Sequence, residues 1–316
     1  MTKQANTVLM IAPVAFAYNP ETATSNVFQK SPYKGESDSQ EMARTEFLML
    51  ADGLRNHGVQ VISISDTEEP HTPDSIFPNN WFSTHSDGTI VLYPMLAKNR
   101  RLERRGDILT RLSRTHKIQK IHDYSGWELD NEIVEGTGSL IFDRTHKVVY
   151  ACLSSRTTMN LLQKISRDLG YELVAFQAKN RDGSEIYHTN VLMALGHSFA
   201  VICLDAISDL RERQTVLTAL KNSGREVMRI DFSQMHQFAG NILQLSTAGD
   251  GLVTAMSKTA HDCLNLDQLA LIAQDGPILA AEIPTIERLG GGSVRCMLAE
   301  IYLSQFTNPS QDSEES

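Results

Sequence analysis

Cysteine is scarce in this sequence, and the spacing of the few cysteines excludes several kinds of protein. The 316 residues include only four, at Cys152, Cys203, Cys263 and Cys296. No two of them form a Cys-x-x-Cys pair, so the spacing supports neither a zinc site nor a disulfide framework. The apolar run near the N-terminus is short and is broken by Pro13, unlike a secretory signal. We therefore expect a cytoplasmic protein with free thiols.

Long apolar runs and an excess of basic charge are also lacking. No stretch approaches the roughly 20 apolar residues of a transmembrane helix. Acidic residues outnumber basic ones by 38 to 29, which gives a net charge of −9, whereas nucleic acids and anionic membranes are bound through clustered Lys and Arg. These absences argue against a nucleic-acid or membrane partner and do not exclude a small cationic or zwitterionic substrate. The sequence does not specify the oligomeric state, and a homo-oligomer is compatible with it.

The motifs of the common cofactors are absent as well. No G-x-G-x-x-G or G-x-x-x-x-G-K-[ST] motif follows a predicted strand, and no group of His, Cys, Asp or Glu has the spacing of a metal site. We therefore expect no organic cofactor and no metal. What is present is typical of a soluble globular protein, with 41% hydrophobic and 21% charged residues.

Short apolar segments alternate along the chain with five amphipathic ones. This alternation predicts a mixed α/β fold. The predicted helices are Ser39–His57, Arg101–Ser113, Thr157–Leu169, Ser208–Ser223 and His261–Gln274. The predicted strands are Val8–Pro13, Val59–Ser65, Thr89–Pro94, Ser139–Phe142, Val148–Leu153, Glu172–Ala178, Val191–Leu195, Phe199–Leu204, Glu226–Phe232, Asn241–Ser246, Gly251–Ser257, Ile278–Pro284 and Arg295–Leu303.

The even spacing of the five helices indicates a structural repeat whose units share no obvious sequence identity. A doubly wound sheet is the usual alternative for alternating elements, but no nucleotide-binding motif supports it. No linker rich in Pro, Gly or Ser divides the chain. We therefore expect a single domain over residues 1–306, followed by an acidic tail at residues 307–316 that we expect to be disordered.

Polar residues gather in two segments in the first half of the chain. In the first, Asp74 and the amides Asn79 and Asn80 flank apolar residues and precede Trp81. Asp, Pro and Asn are common turn residues, so the amides are also explained by a turn. In the second, Glu135 precedes a Gly-x-Gly sequence, which allows close approach of the backbone. A glutamate in such a place is more often a solvated loop residue.

Two further segments lie in the second half. His188 and Asn190 open a predicted strand and would share one of its faces, since side chains alternate in a strand. Three glycines then lead through Ser293 to Arg295 and Cys296. Such a loop can deliver a thiol to a cleft, and a cationic neighbour favours its thiolate form. Free cysteines are more often buried and structural, which is the expectation for the other three.

These segments, in this order, resemble the guanidine-modifying superfamily, which includes dimethylarginine dimethylaminohydrolase, arginine deiminase and glycine amidinotransferase. The resemblance covers about residues 12–296, and it is greatest to the bacterial amidinotransferase-like branch, the citrulline-utilisation hydrolases. Each motif is weak alone, whereas six in the family's order are specific. The motifs are Asp74-Ser-Ile-Phe, Arg100-Arg101-Leu-Glu103, Glu135-Gly, Ser154-Ser155-Arg156-Thr157, His188-x-Asn190 and Gly290-Gly-Gly-Ser-Val-Arg-Cys296.

The resemblance implies a five-bladed α/β propeller, the pentein fold, built from five ββαβ-type modules around a central channel. It also implies the chemistry of a cysteine hydrolase. Cys296 would be the nucleophile, His188 the general acid and base, and Glu135 the residue that orients His188 and holds a substrate nitrogen. Asp74 would lie on the segment that grips the guanidino end. Arg156, with Arg100 or Arg101, would bind the α-carboxylate of an amino-acid substrate.

The sequence departs from the family at amide positions. Asn79 and Asn80 stand where family members usually carry an acidic pair, and Asn190 stands where some carry an aspartate. A guanidinium prefers carboxylates, whereas an amide can donate to the carbonyl of a neutral ureido group. The departures favour citrulline over arginine, although Asp74 and Glu135 could still hold arginine or a methylarginine. Asn241, which follows a glycine at a strand entrance, is a further candidate channel residue.

Three other functions are considered beside a hydrolase. An amidinotransferase would use the same residues, with an amine as acceptor in place of water. A non-catalytic propeller that acts as a binding module would not need Glu135, His188 and Cys296 together. A redox protein would need a resolving cysteine, which the sequence does not indicate. The segment from Phe16 to Gln29, and on to Gly35, is expected to form a lid over the channel.

Overall fold

The computed structural model describes residues 4–33 and 38–306. The expected acidic tail at residues 307–316, and the last part of the expected lid, lie outside these ranges. Fifteen strands lie within them. The strands are β1 (Thr7–Ala12), β2 (Gln60–Ser65), β3 (Phe82–Thr84), β4 (Thr89–Leu92), β5 (Lys120–Asp123), β6 (Ile141–Asp143), β7 (Val148–Leu153), β8 (Glu172–Gln177), β9 (Met193–Leu195), β10 (Phe199–Ile202), β11 (Glu226–Arg229), β12 (Leu243–Ser246), β13 (Leu252–Ser257), β14 (Ile278–Ala281) and β15 (Ala299–Glu300).

The strands form five three-stranded sheets, each with the same internal pattern. The orders are β15-β1-β2, β3-β4-β5, β6-β7-β8, β9-β10-β11 and β12-β13-β14. In every sheet the first strand is antiparallel to the middle one, and the third is parallel to it. A parallel pair needs a crossover connection, which a helix supplies in each sheet.

The helices are α1 (Pro20–Ala23), α2 (Ser39–Asn56), α3 (Lys98–Arg101), α4 (Gly106–Ser113), α5 (Gly136–Ser139), α6 (Met159–Asp168), α7 (Thr189–Leu192), α8 (Leu210–Asn222), α9 (Phe232–His236), α10 (Lys258–Cys263), α11 (Leu266–Ala273) and α12 (Pro284–Gly290). The crossovers are α2, α4, α6, α8 and the pair α10 and α11. The sequence spacing predicts one apolar stripe of Met42, Phe47, Leu50 and Leu54 along α2. The last three are buried, whereas Met42 is 47% exposed.

The five sheets confirm the predicted five-module α/β propeller. The first sheet joins the two ends of the described chain, because β15 pairs with β1 through Val8 opposite Glu300. Apolar residues between the sheets and their helices form the core, in which Cys152 and Cys203 are fully buried. No helix of the described residues combines the length and the apolar composition needed to cross a bilayer.

Several element boundaries differ from the sequence predictions. The predicted helix Arg101–Ser113 begins only at Gly106, and the predicted helix His261–Gln274 is two helices, because Asn265 caps the second one. Three predicted strand starts are instead single helical turns, namely α5, α7 and the 3-10 turn Val294–Met297. Glycine and short polar side chains favour turns at these places.

These single turns share a position in the fold. Each directly precedes the first strand of a sheet, as does a fourth turn, the 3-10 turn Pro78–Asn80 before β3. Because the modules repeat around one axis, the four turns converge at the same end of the channel. The strand alternation expected of His188 and Asn190 is therefore wrong, since Asn190 belongs to the helical turn α7 and His188 is the residue that precedes it.

Candidate active site

The converging turns enclose a small cavity with about 270 Å³ of empty space. Six of the residues predicted from the sequence line it. They are Asp74, Asn80, Arg100, Arg156, His188 and Cys296. Every one of them is at most 5% exposed. Chemistry at this cavity would therefore take place largely out of contact with bulk water.

Glu135 and His188 form a buried pair at the cavity. Each residue directly precedes a single helical turn, which directs its side chain into the channel. His188 Nε2 lies 2.8 Å from Glu135 Oε2. The other carboxylate oxygen, Oε1, accepts a hydrogen bond from the backbone N–H of Leu96 at 3.0 Å. Glu135 therefore has little freedom and fixes the orientation of the imidazole ring.

The charges around this pair determine its protonation. Burial raises the pKa of Glu135, but Arg156 and the hydrogen bond from His188 more than offset this and hold it below its usual range. Burial lowers the pKa of His188 to about 4, against the opposing effect of Glu135. His188 is thus neutral near pH 7. An ionised Glu135 accepts the Nε2 proton, which leaves the lone pair on Nδ1.

Cys296 lies between two asparagine side chains. Its Sγ is 3.4 Å from Asn190 Nδ2 and 3.3 Å from Asn241 Nδ2. Two amide donors aimed at one sulfur would stabilise negative charge that develops there. Arg295, which the sequence suggested as the cationic neighbour, instead pairs with Glu300 at 2.8 Å and lines a different cavity.

Asp74 presents an unpaired oxygen in the buried cavity. Its Oδ2 accepts hydrogen bonds from Asn19 Nδ2 at 2.8 Å and from Thr22 Oγ1 at 2.9 Å. Its Oδ1 is buried and accepts none from the described residues. Burial raises the pKa of Asp74, and nearby Arg100 opposes that shift. A buried carboxylate oxygen without a partner is costly, and an N–H group of a ligand could supply the missing donor.

The three arginines of the sequence prediction have different surroundings. Arg100 donates from Nε and Nη2 to both oxygens of Glu103, each at 2.9 Å, and from Nη1 to Asn80 Oδ1 at 2.8 Å. Arg101 is partly exposed and donates to the backbone oxygens of Met95 and Leu96. Arg100 therefore faces the cavity, and Arg101 is directed toward the adjoining loop.

Arg156 connects the Glu135–His188 pair to the segment that is expected to form a lid. Its Nη1 lies 3.4 Å from Glu135 Oε2, and its Nη2 donates to Thr22 O at 3.0 Å and to Ser25 Oγ at 2.7 Å. The guanidinium also stacks over the ring of Tyr187, 4.8 Å from its centre. Its donors are thus engaged by the protein, and a substrate carboxylate would have to compete with the lid for them.

The two amides of the turn Pro78–Asn80 differ. Asn80 contacts the cavity, and its Nδ2 has no hydrogen-bond partner among the described residues. Asn79 is fully buried away from the cavity lining, and neither its Oδ1 nor its Nδ2 is bonded to a described residue. Asn80 is thus the one of the two placed to donate to a ligand in the cavity.

Three polar residues of the expected lid are buried. The sequence offers Asn19, Asn26 and Gln29 as candidates for substrate contact, although isolated polar loop residues are usually solvated, and all three are buried. Asn26 donates to the backbone oxygen of Gly291 at 3.2 Å, and the hydroxyl of Tyr187 donates to the same oxygen at 2.9 Å. The lid is therefore tied to the glycine loop that leads to Cys296. Nothing in the local sequence pattern indicates this pairing.

Gly138 determines how closely the turns can approach. A Cβ atom at this position would lie 2.5 Å from Asn80 Nδ2 and 2.7 Å from His188 Nδ1. Gly138→Ala is therefore expected to displace the imidazole ring and to lower kcat/KM by about 100-fold, because displacements near 1 Å have such effects. The matched control is Gly106→Ala, whose Cβ meets no atom within 4 Å. Steady-state kinetics of both variants test this expectation, and equal kcat/KM values for the two variants would contradict it.

Comparison with known proteins places the fold among enzymes of one superfamily. The family model described as N,N dimethylarginine dimethylhydrolase, eukaryotic, matches residues 12–303. No protein with a curated description matches the sequence at a significant level. Several solved structures are similar to this one. Their sequence identities to this chain are so low that they show the fold alone.

Two of these structures are of ArgZ, an arginine dihydrolase of the ornithine–ammonia cycle in cyanobacteria. The apo structure is 15% identical with a TM-score of 0.73, and the match covers 96% of this chain and 41% of that one. This chain thus spans less than half of full-length ArgZ. The N-terminal domain of ArgZ, a cysteine-to-serine variant bound to substrate, is also 15% identical with a TM-score of 0.72, and the match covers 93% and 97%.

A third similar structure is the DDAH of Pseudomonas aeruginosa. It is 13% identical to this chain with a TM-score of 0.63, and the match covers 94% of this chain and 100% of that one. That enzyme was also a cysteine-to-serine variant, complexed with citrulline. Residues 12–303, which the family model matches, include Glu135, His188 and Cys296.

Proposed function

Because this chain belongs to the family of N,N dimethylarginine dimethylhydrolases, hydrolases that act on C–N bonds of guanidino groups, we propose that it cleaves such a bond in an arginine-like amino acid with Cys296 as nucleophile. The observation that carries the proposal is that Cys296 and His188 line one buried cavity, with His188 Nε2 2.8 Å from Glu135 Oε2 behind it. A thiol, a neutral base and a group that orients the base are the parts that nucleophilic catalysis requires.

The first half of the reaction forms a bond between sulfur and carbon. His188 Nδ1 takes the thiol proton, and Sγ of Cys296 attacks the central carbon of the guanidino or ureido group. The tetrahedral adduct collapses as His188 returns the proton to the departing amine. The N–H groups of Asn190 and Asn241 contact Sγ, so they stabilise the charge on sulfur before the attack. The product of this half is a covalent enzyme intermediate and a free amine.

The second half consumes water. His188, neutral again, removes a proton from a water molecule as its oxygen attacks the same carbon. The C–S bond breaks and the thiol of Cys296 is restored with the proton from His188. Glu135 stays ionised throughout, because its pKa lies below the usual range. Its role is to hold His188 in the Nε2-protonated tautomer and to stabilise the imidazolium when it forms.

The substrate groups can be assigned to polar atoms that lack partners. Asp74 Oδ1 is an acceptor for a guanidino or ureido N–H, and Asn80 Nδ2 is a donor for a ureido oxygen. Arg156 is the candidate for the α-carboxylate, which would replace Thr22 O and Ser25 Oγ as the acceptor of its donors. Asn80 supports the preference for citrulline over arginine that the amide substitutions suggest.

A substrate panel tests the proposal and the preference separately. The purified protein is incubated with arginine, dimethylarginine, agmatine or citrulline, with and without glycine as an amine acceptor. Ammonia, methylamines, urea and ornithine are then quantified. We expect hydrolysis that glycine does not alter, and faster turnover of citrulline than of arginine. Faster turnover of arginine would contradict the role of Asn80 only, whereas no turnover of any of the four would contradict the hydrolase itself.

A further inference from the structure

A second cavity, larger than the first, lies further along the channel. It contains about 610 Å³ of empty space and shares no lining residue with the active-site cavity. The first strands of the sheets run from one cavity toward the other. In the third sheet, for example, Glu135 precedes β6 at the active site, and Arg144 follows β6 at the second cavity.

Three arginines line this second cavity, which is unexpected in a protein with a net charge of −9. Arg225 pairs with Asp143 just outside the lining, and Arg295 pairs with Glu300 at 2.8 Å. Arg144 is the third, and no carboxylate of a described residue lies within 4.0 Å of it. Three guanidinium groups thus face two carboxylates, so that one positive charge is left in excess.

The surroundings of Arg144 hold its guanidinium in place, and Glu300, which pairs directly with Arg295, acts on it only at longer range. The group stacks over the ring of Tyr302, 3.8 Å from its centre, and lies 5.1 Å from the ring centre of Phe142. Its Nη1 lies 3.2 Å from His85 Nδ1. Burial, reinforced by Arg144 itself, lowers the pKa of His85 well below its usual value, so the ring accepts as a neutral base.

We propose that this second cavity is a binding site for a small oxyanion, a phosphate or a carboxylate, with Arg144 as its principal ligand. A planar guanidinium is suited to both groups, because its donors match two oxygens of either one. A stacked cation that faces a polar cavity without a carboxylate partner gains most from an anion. The partners of Arg225 and Arg295 make those two groups secondary contributors to the positive field.

Titration of the full chain with two probes tests the site. Inorganic phosphate and succinate are each added at constant ionic strength, and binding is followed by isothermal titration calorimetry and by the midpoint of thermal unfolding. We expect one of the probes to bind and to raise the midpoint, because a ligand of the folded state stabilises it. The probe that binds more tightly identifies the class of oxyanion. Each probe is added up to about tenfold above 1 mM, which is a weak dissociation constant for such ligands. If neither probe binds under these conditions, the proposal is overturned.

Substitutions of residues that line the second cavity test where the anion binds. Arg144→Gln is expected to weaken binding at least about tenfold, the loss of one charge-assisted contact. Thr145→Glu tests the same site with the stacked Arg144 left in place, since Thr145 is an exposed residue of the lining. The control is Arg111→Gln, an exposed arginine of α4. Binding that survives both Arg144→Gln and Thr145→Glu, or that is abolished by Arg156→Gln alone, would place the anion elsewhere and overturn the proposal.

Discussion

Replacing Cys296 by serine is expected to lower kcat by about 10⁴-fold or more, the scale on which loss of a nucleophile acts in other covalent enzymes. A serine hydroxyl is a far weaker nucleophile than a thiol under the same conditions. The fold should persist, because serine is nearly the same size and its oxygen can accept from Asn190 and Asn241 as Sγ does. Steady-state rates on the best substrate of the panel, together with circular dichroism, measure both effects.

Cys203→Ala is the matched control for this experiment. It removes a single thiol that is fully buried in the apolar core and remote from the cavity lining. Burial raises the pKa of Cys203 to about 11, so it stays a protonated thiol. We expect the control to lose some stability, as cavities in cores do, and to keep its kcat. A fully active Cys296→Ser variant, or an inactive Cys203→Ala variant, would contradict the assignment of the nucleophile.

His188→Gln is expected to lower kcat/KM by about 10²- to 10⁴-fold, the usual contribution of a positioned acid–base group. Gln can still donate to Glu135 but cannot carry a proton between sulfur, amine and water. The pH profile adds a second readout. His188 acts from its neutral form, and burial lowers its pKa to about 4, so wild-type kcat/KM should hold down to about pH 5 and fall as pH drops through the pKa of His188.

The same pKa predicts a change in stability with pH. Between about pH 6.5 and 4, the unfolded chain binds a proton at this histidine and the folded chain does not. The free energy of unfolding therefore falls as the pH is lowered through that window. In His188→Gln this part of the slope should disappear, whereas the control His261→Gln, at a partly exposed histidine outside the cavity lining, should keep it. If His188→Gln retains both the wild-type kcat/KM and its fall at acidic pH, His188 is ruled out as the base.

The structural repeat could be predicted from the sequence for a physical reason. Five amphipathic helices set at even intervals require five similar packing units, and the apolar strands between them supply the sheets. The short strands β3 and β5 were not predicted, because β5 carries Lys120, His122 and Asp123 and lacks an apolar pattern. Tertiary pairing with β4 determines both strands, and local propensity does not.

The resemblance of their motifs singles out Cys296, His188 and Glu135 as catalytic candidates. The sequence does not indicate which residues surround them. The roles of Thr22 and Ser25 depend on contacts with Arg156, more than 100 residues away in the sequence. The sequence also left open which of Arg100 and Arg101 faces the channel. Both residues lie in the short helix α3, where consecutive side chains point in directions about 100° apart. Only one of the two can therefore face the channel.

The measurement that tests the central claim most directly is the capture of the covalent intermediate. Wild-type protein is mixed with its best substrate, quenched in acid faster than one turnover, and analysed by mass spectrometry as intact protein and as peptides. A cysteine nucleophile predicts a mass increase equal to the substrate less the departing amine, located on the peptide that contains Cys296 and absent in Cys296→Ser. Turnover without this adduct, or an adduct on Cys152, Cys203 or Cys263 instead, would contradict the account.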